Sequence, residues 1–224
     1  MTEKHELVFL FDVDNTLLNN DCVERDLRHH LSNFLGPQAK ERFFQIFEEL
    51  RAELGYADYL GTLERYRLEA LHDPRVLAMS CWLVDYPFSQ RLYPHALDAV
   101  EHARGFGVPV ILSDGDAVFQ PRKIERSGLW DAFRGQVLIY VHKEKMLGDV
   151  ECYYPAGHYV MVDDKLRLLS AIKAIWQDRV TTVFVKQGHY ANDPAIQDRY
   201  PPADIKLNRI GDLLEYNREA FLQR

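Results

Sequence analysis

Five short apolar runs, at residues 7–11, 108–112, 136–141, 158–162 and 180–185, each stop at polar or turn residues, and a weaker sixth lies at 204–207. Runs of this length, apolar throughout rather than alternating, suit strands buried on both faces of a helix-covered parallel sheet. Helix-like stretches at 96–104 and 166–176 separate later runs. Strand alternating with helix predicts an α/β fold, a Rossmann-like doubly wound parallel sheet. The first run is too short to cross a bilayer and ends on Asp12 rather than at a small-residue cleavage site. Neither a membrane span nor a membrane partner is expected.

The exception to the alternation is the stretch from about residue 21 to 86, which holds no convincing strand. Phe43, Phe47, Leu50 and Leu54 recur there at helical spacing, as do Val76, Met79, Ser80 and Leu83. Gly36-Pro37, Gly55 and Asp73-Pro74 mark where helices stop or start. The reading is three to four helices forming a small cap domain at residues 19–87, inserted into a core made of residues 1–18 and 88–224.

Composition narrows the function. Lys and Arg total 27 against 34 Asp and Glu, a net charge of −7, which argues against a nucleic acid polymer as partner. Cys22, Cys81 and Cys152 form no CxxC pair and no disulfide framework, so a reducing cytoplasm is the expected home.

Ligands of an open parallel sheet sit outside the carboxyl ends of its strands. The first run ends there as Phe11-Asp12-Val13-Asp14-Asn15-Thr16. Two residues apart on an extended chain, Asp12 and Asp14 share a side. Carboxylates so close repel unless a cation neutralises them, so the pair implies Mg²⁺. An EF-hand does not fit, because Leu17 stands at its glycine position and Val23 at its bidentate glutamate. Gly105-Phe106-Gly107 precedes a strand and reads as a helix-to-strand turn rather than a phosphate loop. Three further strand ends carry Ser113-Asp114-Gly115, His142-Lys143-Glu144-Lys145 and Asp163-Asp164. Singly these have ordinary explanations as a turn former, solvated charges and a helix N-cap. Four polar clusters at four strand ends together point to a phosphoryl-transfer site.

The order Asp-x-Asp-x-Thr, Ser, Lys, Asp-Asp resembles the four motifs of the haloacid dehalogenase superfamily of phosphohydrolases. The motifs run from Asp12 to Asp164, and the helical insert resembles that superfamily's cap. The resemblance implies Asp12 as the nucleophile that forms an aspartyl-phosphate and Asp14 as the acid and base. It implies Mg²⁺ on Asp12, the Asp14 main-chain carbonyl and Asp164, with Asp163 in support. Ser113 would bind the transferring phosphoryl group and a lysine would neutralise it. That lysine is Lys143 or Lys145; Lys143 is favoured, being closer to the strand end, with Met146, Leu147 and Val150 suiting the buried face of the next helix. Thr16 would fix the turn after the nucleophile, where Asn15 replaces the frequent glycine and tolerates a left-handed backbone.

Dehalogenases of this superfamily typically lack an acid at the Asp14 position, since halide leaves unprotonated. The resemblance therefore implies a Mg²⁺-dependent phosphatase acting on a small phosphorylated metabolite. A phosphotransferase or mutase, or a non-catalytic metal-binding regulatory module, stays open, as does the oligomeric state. The nine histidines show no ligand spacing, and His29-His30 reads as solvent-facing. The cap aromatics read as bundle core, and Gln120-Pro121-Arg122-Lys123 is left without a role.

Overall fold

The computed structural model describes residues 4–222. Six parallel strands, β1 (His5–Phe11), β2 (Val108–Asp114), β3 (Val137–Tyr140), β4 (Ala156–Asp163), β5 (Val180–Val185) and β6 (Ile205–Leu207), lie in the order β3-β2-β1-β4-β5-β6. Strand β1 is central and shows why its sequence does not alternate. Leu7, Phe9 and Phe11 enter one apolar cluster, while Val8 and Leu10 enter a second on the opposite face. Helices α5 (Ala96–Arg104), α6 (Phe119–Ser127) and α7 (Leu129–Ala132) contribute to the first cluster; α8 (Leu147–Tyr153), α9 (Leu166–Trp176) and α10 (Gly188–Asn192) contribute to the second.

Four helices fill the gap between β1 and β2: α1 (Asn20–Phe34), α2 (Pro37–Leu54), α3 (Tyr59–Glu69) and α4 (Pro74–Asp85). Their ends follow local chemistry. Pro37 opens α2 and the left-handed Gly55 closes it, while the Asp58 and Asp73 side chains accept backbone N–H groups at the starts of α3 and α4. Phe43, Phe47, Leu50, Val76, Met79 and Leu83 are buried as their spacing requires. The apolar cluster does not stop at the junction with the sheet. Tyr59 stacks on Phe47 at 4.7 Å and meets Phe119 of α6 edge-on at 5.6 Å, so these four helices and the sheet share one continuous cluster. Arg28, Arg65 and Arg67 make outward ion pairs with Glu24, Glu53 and Glu64, which add little stability.

Two expectations change. His30 is not solvent-facing: it stacks on Phe34 and, at 4.6 Å and 6°, on Trp82, because α4 packs its indole there. Met146 is 38% exposed, leaving Leu147 and Val150 to pack the start of α8. Among the described residues the three cysteines are free, and no helix is long and apolar enough to cross a membrane.

Candidate active site

The strand order places the chemistry. From β1 the chain winds through β2 to β3 on one side, then returns to lay β4 against the other side of β1. That reversal opens a crevice at the carboxyl ends of β1 and β4, the usual ligand position in open α/β sheets. Register does the rest. Phe11 pairs with Val162 and Ile111, so Asp12 emerges beside Asp163 and next to the end of β2.

Asp12 is 3% exposed. Its Oδ1 accepts from Lys143 Nζ at 2.6 Å and its Oδ2 from Thr16 Oγ at 3.3 Å. Lys143 also lies 2.7 Å from Asp163 Oδ2 and donates to the Leu112 carbonyl at 3.2 Å. Burial alone lowers the affinity of the Lys143 ammonium for its proton, but the charges of Asp12, Asp163 and Asp114 outweigh burial and hold its pKa above the ordinary lysine value. Lys145 is exposed and among the described residues joins no such pair, so Lys143 is the lysine brought to Asp12. Asp114 secures the loop that carries it: its Oδ1 accepts the Lys143 backbone N–H at 2.7 Å.

Asp14 takes a different neighbourhood, on the wall of a cavity of about 460 Å³ between the sheet edge and α1–α3. Lys123 Nζ donates to both its oxygens, at 2.7 and 2.9 Å, and Gln120 Nε2 reaches Oδ2 at 3.2 Å. The same Gln120 amide donates to the buried Ser113 Oγ at 2.9 Å. The sequence reading passed over Gln120 and Lys123. Their signal was present: Phe119, Gln120, Lys123, Ile124 and Ser127 form the buried face of α6, and a lysine on a buried face demands a counter-ion.

The two lysines correct the reason for expecting a metal. Asp12 and Asp14 do not face each other uncompensated; each has its own ammonium. The uncompensated group is Asp164. Both its oxygens are buried with no hydrogen-bond partner, and it lies with Asp12 and Asp163 in a group whose ligand atoms fall within 4.8 Å of one another. Burial pushes the Asp164 carboxyl well above the usual range; Lys165 opposes this, while Asp163 and Asp12 add to it. Asp163 is better satisfied, with Oδ1 accepting the Lys165 N–H at 2.8 Å and Oδ2 against Lys143. Neither aspartate caps α9 with its side chain. Three buried carboxylates, one wholly unpartnered, fit a hard divalent cation.

The turn after Asp12 adopts the expected left-handed form, with Asn15 at φ 60°. Its side chain ties the turn to α1, donating to Asp21 Oδ1 at 2.9 Å and accepting the Asp21 N–H at 3.2 Å. Gly188 covers it at φ +72°, where an added Cβ falls 2.5 Å from Asn15 Cβ. Gly188→Ala is therefore expected to cost about 2–4 kcal/mol, from backbone strain plus overpacking. Thermal unfolding should show a fall of roughly 5–12 °C. Gly128→Ala, at φ +85° with open space around it, should cost only about 1 kcal/mol.

The family model of haloacid dehalogenase-like hydrolases matches residues 7–175. A haloacid dehalogenase-like hydrolase of Burkholderia xenovorans LB400 is 60% identical, superposing with a TM-score of 0.91 over 95% of this chain and 99% of that one. The L-2-haloacid dehalogenase of Xanthobacter autotrophicus is 20% identical, with a TM-score of 0.60 over 93% of this chain and 96% of that one. A HAD hydrolase of Bacillus subtilis, solved bound to magnesium, is 15% identical, with a TM-score of 0.63 over 95% and 98% of the two chains. At these lower identities the likeness is one of fold. No curated protein matches the chain. The matched residues take in all four polar strand ends and the helices between the first two, and the chain belongs to the haloacid dehalogenase-like hydrolases.

Proposed function

We propose that this hydrolase is a Mg²⁺-dependent phosphatase of small phosphomonoesters, working through an aspartyl-phosphate on Asp12. The observation that carries the reading is the Asp14 carboxylate, set on the cavity wall two residues from Asp12. A halide needs no proton to leave, whereas an alkoxide does, so this second acid is idle in dehalogenation and required in ester cleavage. A cavity of about 460 Å³ suits a metabolite rather than a polymer. The free, widely separated cysteines support a cytoplasmic setting.

Lys143 holds one Asp12 oxygen and fixes the carboxylate for attack on phosphorus. As the Asp12–phosphorus bond forms and the ester bond breaks, Asp14 gives its proton to the leaving oxygen. Asp14 then takes a proton from water, which attacks phosphorus and releases Asp12 with inorganic phosphate. Ser113 and the Lys143 ammonium would meet the charge on the transferring group. Asp12, the Asp14 carbonyl and Asp164 would hold Mg²⁺, with Asp163 behind them; when bound, the ion offsets phosphate charge. The helices α1–α4 would act as a lid that excludes water and selects the substrate.

The test is product analysis. Phosphate release from p-nitrophenyl phosphate and from a short alkyl phosphate is followed with Mg²⁺ or with EDTA, and chloride release from 2-chloropropionate is followed alongside. Metal-dependent phosphate release with no chloride is expected. Chloride release without phosphate turnover would overturn the reading.

A further inference from the structure

We infer that Lys123 is a positioning residue for the acid and base: from the buried face of α6 it grips both oxygens of Asp14 and ties their placement to the helices over the cavity. The inference rests on the reading of Asp14 given above. Lys123 is 2% exposed, so its ammonium must be fully matched by neighbours. Its partners are the two Asp14 oxygens and Asn20 Oδ1, the last at 3.2 Å, and the ring of Phe119 lies 5.3 Å away. Among the described residues, the only carboxylate it contacts is that of Asp14.

The arrangement leaves Asp14 little freedom. Gln120, one turn earlier on the same helix face, takes a third contact with its Oδ2. Three N–H donors from one rigid helix hold one carboxylate, and a misplacement of about 1 Å in such a group can cost about 10²-fold in rate. The chain of contacts continues outward. Asn20 is the first residue of α1, and its side chain lies beside the hydroxyl of Tyr59, the first residue of α3. Tyr59 is buried against Phe47 and Phe119. A displacement of α1 or α3 is thus transmitted through Asn20 to Lys123, and through Lys123 to Asp14.

Leaving-group dependence tests this, because a misplaced acid penalises poor leaving groups and spares good ones. The ratio of kcat/KM for p-nitrophenyl phosphate to that for a short alkyl phosphate is measured for wild type, Lys123→Gln, Lys123→Arg, Asp14→Asn and the Lys123→Gln/Asp14→Asn double variant. Asp14→Asn should raise the ratio about 100-fold. Lys123→Gln should raise it at least about tenfold, Lys123→Arg should recover most of that, and the double variant should match Asp14→Asn within about twofold, since both residues act through one group. Thermal unfolding identifies any variant that fails to fold; the double variant removes both charges together and strands neither. If Lys123→Gln slows both esters equally, or the double variant shows the product of the single effects, Lys123 is merely structural and the inference is overturned while the reading of Asp14 stands. If Asp14→Asn leaves the ratio unchanged, the reading of Asp14 as acid falls and the inference falls with it.

Discussion

Asp12→Asn should lose phosphatase turnover by at least about 10⁴-fold while remaining folded, because the amide is no nucleophile and no second carboxylate can take its place. Asp14 is engaged by Lys123 and Gln120 on the cavity wall. Asp163 has its two oxygens occupied by the Lys165 N–H and by Lys143. The fold survives because Lys143 keeps Asp163 as a counter-ion at 2.7 Å when Asp12 is neutralised. Loss of one charged hydrogen bond costs about 1.5–3 kcal/mol, roughly 5–10 °C in Tm. Steady-state rates and a melting curve on one preparation check both halves. Turnover within tenfold of wild type by a folded Asp12→Asn protein would remove Asp12 from the role of nucleophile.

Asp164→Asn should do the opposite to stability. Both Asp164 oxygens are buried without a hydrogen-bond partner, and burial raises the pKa of the carboxyl well above its ordinary 3.8. The sign follows from linkage. A carboxyl that binds its proton more tightly when folded contributes a penalty that grows as pH rises above the unfolded value. Metal-free wild type should therefore lose stability from about pH 4 upward through the folded-state pKa, and the asparagine variant should not show that component. At pH 7 without metal the variant should be more stable by about 1–3 kcal/mol, seen as a Tm higher by roughly 3–10 °C. Mg²⁺ at about a hundredfold excess over its dissociation constant should stabilise wild type by about 2.7 kcal/mol and leave the variant nearly unmoved. Equal stabilisation of both proteins by Mg²⁺ would mean that Asp164 is not a ligand.

These two aspartates illustrate what could be read in advance. Asp12 was legible because a buried strand must end, and a charged residue at its carboxyl end lies outside the sheet where ligands bind. Asp163-Asp164 were legible for the same reason at β4. Neither inference needed a distance, because strand ends are local features and parallel register aligns them. Lys143 and Lys145 could not be separated with equal ease. Residues 143–145 form one turn of 3₁₀ helix, so two lysines in one short loop point to different places, and only the buried one reaches Asp12. Lys123 stayed without a role because nothing local in the run after β2 tells a buried lysine from a solvated charge. Arg122, its neighbour, does make surface pairs with Asp85 and Glu125. One step around the helix separates a solvated arginine from a lysine buried in the site.

The sequence by itself determined the sheet, the order of its strands along the chain and the carboxylates at their ends, because burial on two faces and the polarity of strand termini are written in consecutive residues. Only the tertiary structure decided which cation answers which carboxylate. Lys143 reaches Asp12 across 131 residues and Lys123 reaches Asp14 across 109. Contacts of that range depend on where whole helices dock, and a few ångströms of docking decide whether an ammonium is a buried counter-ion or a solvated charge. That placement leaves Asp164 as the one carboxylate of the cluster with nothing to bind.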